Sequence, residues 1–376
     1  ADSGDLEEAL EGLEEASRSW WQRSSGERGE ILDSLDLGDG LESCAAGVAA
    51  RIGVSPEEAK SLLEEDLGEL EEWNVEPIGG PGVSLVRCAP TALLSGLASL
   101  MMQSLERGWT VLLLADPELP WLAEVLAEAW LKAGAPAGAL ALLHDDGVSC
   151  ARAALSSGRL SAVALCDLDE RIESFRTKLK RRESAGPGMG IGFGAGVSEG
   201  GDLGSAFYGV PLRDATSVVT SDCDPVEEAV AVVEASFGSA LALSGEREGS
   251  IGRVVCHERQ FSAFTHALLE AFDVLERRNG PLIRPLMPNF NGWMTELSQA
   301  AVGEGATTLR GGASGSNERA SRGKMGRSVF TNLEPNWSLG CAGRPAPVLS
   351  LLRAPDDERA HELALACDSD HRDLPE

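Results

Sequence analysis

Between Val83 and Cys166 short, mainly apolar runs alternate with stretches whose apolar residues recur at helical spacing. The runs occupy residues 83–86, 110–114, 139–143 and 160–166, and helical spacing marks 93–105 and 120–131 between them. A strand that is apolar at every position has to be buried on both faces, and helices threaded between such strands supply the cover. The pattern therefore predicts an α/β domain: a parallel sheet between two helical layers.

The remainder of the chain fits around that unit. Residues 1–73 are rich in Leu, Glu and Ala and read as amphipathic helices packing on the sheet. Residues 217–220 read as a strand and 225–235 as a helix with Asp224 as its N-cap. In the stretch from Phe237 to Phe272, Ile251, Val254 and Val255 read as a buried strand. Phe261, Phe264, Leu268, Leu269 and Phe272 then fall at helical spacing. The chain has 376 residues, enough for two domains of ordinary size. The expected division is a first α/β domain over 1–212, with a Gly-rich loop at 184–206, and a second α/β domain over 213–376.

Charge removes several function classes. Sixty acidic residues against 32 basic give a net charge of −28, with no basic stripe to offset it, so neither nucleic acid nor an anionic membrane surface is an expected partner. No apolar run reaches the length of a membrane span. The eight cysteines (44, 88, 150, 166, 223, 256, 341 and 367) include no C-x-x-C pair, and several lie in apolar runs such as VVCH. They read as free thiols in a reducing, cytoplasmic setting, not as a disulfide framework or a zinc site. In the Gly-rich loop the glycines at 188, 190, 192, 194 and 196 alternate and give no G-x-G-x-x-G frame, so a flexible surface segment is expected there and not a phosphate cradle. Ser314 to Arg327 reads as a solvated polar loop.

Several segments together resemble the aldehyde dehydrogenase superfamily. RVVCH (Arg253 to His257) followed by FSAFTHALLEAF resembles the family's R-V-x-V-H strand and x-F-x-x-x-L helix. Trp20, Trp21, Arg28, Ile31 and Leu32 fit its first helices. Gly108, Thr110, Val111 and Pro120 fit its G-N-T-V-V-L-K-P-S-x-x-T-P motif. NGPLI, TLRGG and APVLSLL fit its later turns and strands, so the likeness runs from about Ser17 to Asp370. It implies an aldehyde dehydrogenase-like fold of two three-layer α/β domains, a Rossmann-type cofactor domain and a catalytic-type domain. The family's closing segment has no counterpart before Glu376, so the second domain is expected to be incomplete at its C-terminal end, through truncation or because the sequence is a fragment.

The family's chemistry needs a thiolate nucleophile, an oxyanion donor, a general base and a grip on a nicotinamide dinucleotide. At the position that the likeness implies for each, this sequence has something else. The nucleophilic Cys of N-x-G-Q-x-C falls on Glu248, and the Asn of P-W-N on Thr91, or on Cys88 with a short gap. The base of E-L-G-G falls near Gly209, and the cofactor Lys and the Ser after it on Leu114 and Asp116. F-T-G-S falls on Leu165, Cys166, Asp167 and Leu168, the later Gly on Ile172, and the ribose-binding Glu on Gly343. Asp116, Asp167, Asp169 and Glu170 would also crowd the approach of a pyrophosphate unless Arg171 turns inward.

Three residues are candidate substitutes for the lost nucleophile. Cys256 lies in the strand, where alternation makes it a core residue, and Cys166 lies beside Asp167, which raises a thiol pKa. Ser244 lies in LSGEREG with no neighbouring His and acid to activate it. His144-Asp145-Asp146 and the stretch Cys367 to His371 read as solvated polar residues at a turn and at a frayed end, and not as metal ligands. The expectation is a catalytically inactive pseudoenzyme, without cofactor or metal, working by binding or by assembly as a homo-oligomer or with an active paralogue. The alternative is an active NAD(P)-dependent oxidoreductase acting on an aldehyde or oxo group, with NAD or NADP as cofactor. A third class is a small-molecule binder.

Overall fold

The structure is a computed structural model that describes residues 3–68, 80–144, 149–168, 171–177, 193–194, 206–238, 243–247, 249–280, 282–283, 285–286, 290–311, 325–334, 337, 339 and 344–368. The chain divides into two compact units, Ala1–Pro211 and Leu212–Glu376. Among the sequence expectations, the Gly-rich loop (apart from the two-residue strand at 193–194 and residue 206), Glu248, Gly343, Asp145, Asp146, Asp169, Glu170 and residues 369–371 lie outside the described residues.

The first unit opens with four helices, α1 (Ser3–Trp21), α2 (Ser25–Asp33), α3 (Gly38–Ile52) and α4 (Pro56–Leu67). On α1, Leu6, Leu10, Leu13 and Trp20 recur at intervals of three, four and seven and form its buried stripe. Capping boxes start α2 and α4. Ser24 pairs reciprocally with Glu27, and Ser55 with Glu58, so that two orphan donors are satisfied at each end. Then come β1 (Val83–Cys88), α5 (Leu93–Glu106), β2 (Thr110–Ala115), α6 (Trp121–Lys132), β3 (Leu140–His144), α7 (Ser149–Ser157) and β4 (Ala162–Asp167). A helix α8 (171–177) and the strands β5 (Phe193–Gly194) and β6 (Ala206–Pro211) complete the unit.

All six strands are parallel, in the order β3-β2-β1-β4-β6-β5. β1, β2 and β4 are buried at every position, as two-sided cover requires. Leu85, Leu112, Leu114, Val163 and Leu165 face a core shared with α1, α7 and α8, while α5 and α6 pack on the other side. The chain leaves β1 by α5 on one face and β4 by α8 on the other. These two strands are neighbours, so the sheet has its topological switch point between them.

The second unit consists of β7 (Ala215–Val219), α9 (Pro225–Val233), β8 (Ile251–His257), α10 (Glu258–Asn279), β9 (Leu282–Ile283), α11 (Phe290–Glu304), β10 (Thr307–Arg310), β11 (Met325–Gly326), β12 (Ser328–Thr331), β13 (Val348–Ala354) and α12 (Asp357–Asp368). The sheet order is β10-β12-β13-β8-β7, with β10 antiparallel and the rest parallel, and β9 pairs with β11 in a separate ribbon. Val232, Phe264, Leu268 and Phe272 from α9 and α10 pack against Val254, Val329 and Leu351 on one face, and α12 covers β7, β8 and β13 on the other. Asp224 caps α9 by accepting from the amides of Val226 and Glu227. One reading is corrected: Arg327, placed by sequence in a solvated loop, is buried and donates to the carbonyl of Gly280 at 3.1 Å. Desolvation pulls its guanidinium pKa down.

Candidate functional site

In an open α/β sheet the place for a ligand is the crevice outside the carboxyl ends of the strands at the switch point. In the first unit that place falls at the ends of β1 and β4. Strand alternation puts Arg87, Asp116 and Asp167 on the face that carries Leu85, Leu114 and Leu165, one step beyond the last apolar row. All three side chains are buried. Arg87 Nη1 donates to Asp167 Oδ2 at 2.5 Å, and Nη2 donates to Asp116 Oδ2 at 3.2 Å. Arg171, from the first turn of α8, does turn inward and lies 3.5 Å from Asp167 Oδ2. The other oxygens are also engaged. Asp167 Oδ1 accepts from the amide of Leu168, and Asp116 Oδ1 from the amide of Glu118. Burial pushes the Asp116 carboxyl above its ordinary range, against the pull of the Glu118 amide and Arg87.

The start of α5 is the second place where a doubly wound fold holds phosphate, because the first amides of a helix point outward unbonded. Here the amides of Leu94 and Ser95 donate to Asp66 Oδ2 at 2.9 and 2.7 Å, and the Ser95 hydroxyl donates to Asp66 Oδ1 at 2.9 Å. Asp66 comes from α4 and is buried, so a carboxylate of this chain holds the position of an incoming anion. Leu93 makes the entry turn at a positive φ of 51° without a glycine, and no G-x-G-x-x-G run precedes it. Both positions are taken up by charged groups of the chain itself, an ion cluster at the first and the Asp66 carboxylate at the second.

Two more of the positions singled out in the sequence are buried here. Thr91 lies in the 3-10 turn Pro90–Ala92, and Leu114 is buried in β2. Cys166 is buried at the end of β4, next to Asp167, with its backbone carbonyl accepting from Ala89. The sequence reading identified the two aspartates as anions that repel a dinucleotide. It missed Arg87, which is bonded to both. The available signal was an arginine inside the otherwise apolar run VSLVRC, since a charge in a fully buried strand calls for a buried partner.

In the second unit the segment before β8 is built as a support. Leu243–Gly245 form a 3-10 turn, and Gly245, at φ of 91°, passes so close to the Ala346 carbonyl that no Cβ fits. Ser244 lies in that turn. Glu246 is buried, and both its carboxylate oxygens accept from the amide of Leu286, at 3.1 and 3.0 Å. Arg253 is buried too. It bonds Asp214 Oδ1 at 2.8 Å and the Cys367 carbonyl at 2.8 Å, tying β8 to the end of α12. Cys256 points into the core under α10. Burial, with a smaller effect from Cys223, pushes its thiol up to about 12, so it stays protonated at neutral pH and is a poor nucleophile. Seven cysteines are free thiols among the described residues. His144 is exposed, 3.5 Å from Glu124, and no group of three or more His, Cys, Asp or Glu is placed to hold a metal among the described residues. No described helix is long and apolar enough to cross a membrane.

These features define an α/β protein with the aldehyde dehydrogenase fold, and solved structures bear this out at low sequence identity. A NAD-dependent benzaldehyde dehydrogenase from Corynebacterium glutamicum superposes with a TM-score of 0.72 at 17% identity, over 98% of this chain and 80% of its own. Aldehyde dehydrogenase C from Pseudomonas syringae, solved with NAD+ and octanal, gives 0.73 at 14%, over 96% and 74%. The 1-pyrroline-5-carboxylate dehydrogenase of Thermus thermophilus gives 0.71 at 16%, over 96% and 71%. No family model and no curated protein matches the sequence.

Proposed function

We propose that this protein is a catalytically inactive member of the aldehyde dehydrogenase fold that works by binding or assembly and not by hydride transfer. The observation that carries the reading is the buried Asp116–Arg87–Asp167 cluster at the switch point of the first sheet. A dinucleotide docking at these strand ends brings two negative phosphates towards buried carboxylates whose counter-charges are already engaged, Arg87 bonded on both sides and Arg171 drawn to Asp167. Asp66 at the head of α5 and the missing thiol, base and amide donors at the resemblance positions support the same conclusion. Cytoplasmic placement and self-association or pairing with an active paralogue complete the proposal.

The test is a calorimetric titration of the full chain with NAD and NADP, followed by an aldehyde panel monitored at the absorbance of reduced nicotinamide. No saturable heat and no absorbance change are expected. Binding at about 10 µM or tighter, well within the ordinary range for a cofactor site, together with turnover, overturns the proposal in favour of an active oxidoreductase.

A further inference from the structure

The second sheet has a switch point of its own. The chain leaves β8 by α10 on one face, and leaves its neighbour β13 by α12 on the other. The carboxyl edge beside this reversal holds a cavity of about 690 Å³, within the range of small-molecule sites (~300–1,000 Å³) and lined from β12, β13 and the first turns of α10 and α12. It lies at the opposite end of the strands from the segment that enters β8, and wholly inside the second unit. It does not rest on the proposed loss of cofactor binding.

The charges around this cavity are unequally satisfied. Arg359 pairs with Glu362 at 2.8 Å, and Asp356 accepts the amide of Arg359. Arg353 differs. Its guanidinium lies over the ring of Phe261, 4.3 Å from the centroid, and it has no hydrogen bond or carboxylate partner among the described residues. Alternation along β12 and β13 puts Thr331, two after Val329, and Arg353, two after Leu351, on the same face of the sheet. Thr331 is 6% exposed and lines the cavity, and its Oγ1 is buried without a hydrogen-bond partner among the described residues. A buried hydroxyl left unbonded is unfavourable, and a ligand oxygen arriving there relieves that. Asn332, at φ of 56°, turns the backbone away immediately afterwards and leaves Thr331 as the last residue of its strand. Glu334 and Glu358 stand at the exposed margin, and Leu351 and Leu363 are buried along the wall.

We infer that this cavity is a binding site for a zwitterionic α-amino acid with an apolar side chain. Its carboxylate bonds Arg353 and the Thr331 hydroxyl, its ammonium faces Glu334 and Glu358, and its side chain lies on Phe261 and the two leucines. A guanidinium held over an aromatic ring and without a carboxylate partner among the described residues suits a carboxylate, and two acids at the margin with no ion pair among the described residues disfavour a phosphate and favour a group that carries its own cation.

L-Leucine and L-phenylalanine, titrated into the full chain by calorimetry and by saturation-transfer NMR, test this. Saturable binding at or below about 1 mM is expected. Arg353→Met and Thr331→Val should each weaken it by about tenfold or more, the loss of one charge-assisted contact, with Arg353→Lys in between. The thermal melt of each variant serves as the check that it folds. 4-Methylpentanoate, which lacks the amine, and 3-methylbutylamine, which lacks the carboxylate, should bind more weakly than leucine. The assignment fails if neither amino acid saturates, if inorganic phosphate competes as well as they do, or if the folded Arg353 and Thr331 variants bind like the parent.

Discussion

Replacing Arg87 by Met keeps most of the side-chain volume but leaves Asp116 and Asp167 facing each other in a buried strand end. Removing one partner of a buried ion pair strands the other, and about 3–5 kcal/mol of stability should be lost, read from urea denaturation monitored by circular dichroism. Asp116→Asn should behave in the opposite way. Burial holds the Asp116 carboxyl above its ordinary pKa, so the folded state keeps its proton to a higher pH than the unfolded chain does. A group with a raised acidic pKa contributes stability below the unfolded value of 3.8 and loses it as pH rises through the folded value. Neutral Asn escapes that loss. The variant should therefore match the parent near pH 3.5 and be at least as stable at pH 7, and a melting series across that window checks the sign. Asp357 has the reverse sign. The Ser221 hydroxyl and amide hold its carboxyl below the ordinary range, so the stability tied to it is present at neutral pH and is lost as pH falls through the folded value.

At the level of elements, much of this fold could be read from the sequence because burial on two faces leaves a mark that needs no tertiary information. β1, β2 and β4 are predominantly apolar runs, and the structure carries their ends a residue or two further than the readings, to Cys88, Ala115 and Asp167. The N-cap at Asp224 was equally visible, since capping is a local event. What could not be read was contact between distant segments. Nothing in DLGEL marks Asp66 as the cap of a helix that begins 27 residues later, and the partners of Arg87 lie at the ends of two other strands. The cavity beside α10 and α12 was invisible for the same reason: Thr331, Arg353 and Phe261 come from separate elements. The α5 cap gives an element-scale prediction. Asp66→Ala leaves the Leu94 and Ser95 amides without their acceptor and should cost about 1–3 kcal/mol, whereas Asp66→Asn, which retains an acceptor oxygen, should cost less. Asp66→Leu, which keeps volume but offers no acceptor, separates the roles: its denaturant midpoint should fall at least as far as that of the Ala variant if Asp66 caps the helix, and much less if the side chain only fills space.

For the molecule as a whole, a net charge of −28 makes the compact state repel itself, and that repulsion acts mainly between exposed carboxylates. Screening shortens its reach from about 30 Å at 0.01 M salt to about 8 Å at 0.15 M. Sodium chloride added over that range should therefore raise the melting temperature by several degrees, at about 2–4 °C per kcal/mol for a domain of this size. The buried cluster at the first switch point lies out of reach of mobile ions, so the stability difference between the parent and Arg87→Met should be nearly the same at both salt concentrations. Exposed pairs such as Arg278–Glu234 should behave differently, since breaking one costs little at low salt and still less at high salt. If the Arg87→Met penalty instead fell in step with the exposed pairs, the cluster would be open to solvent ions. An incoming phosphate could then reach it too, and the electrostatic argument against dinucleotide binding would fail with it.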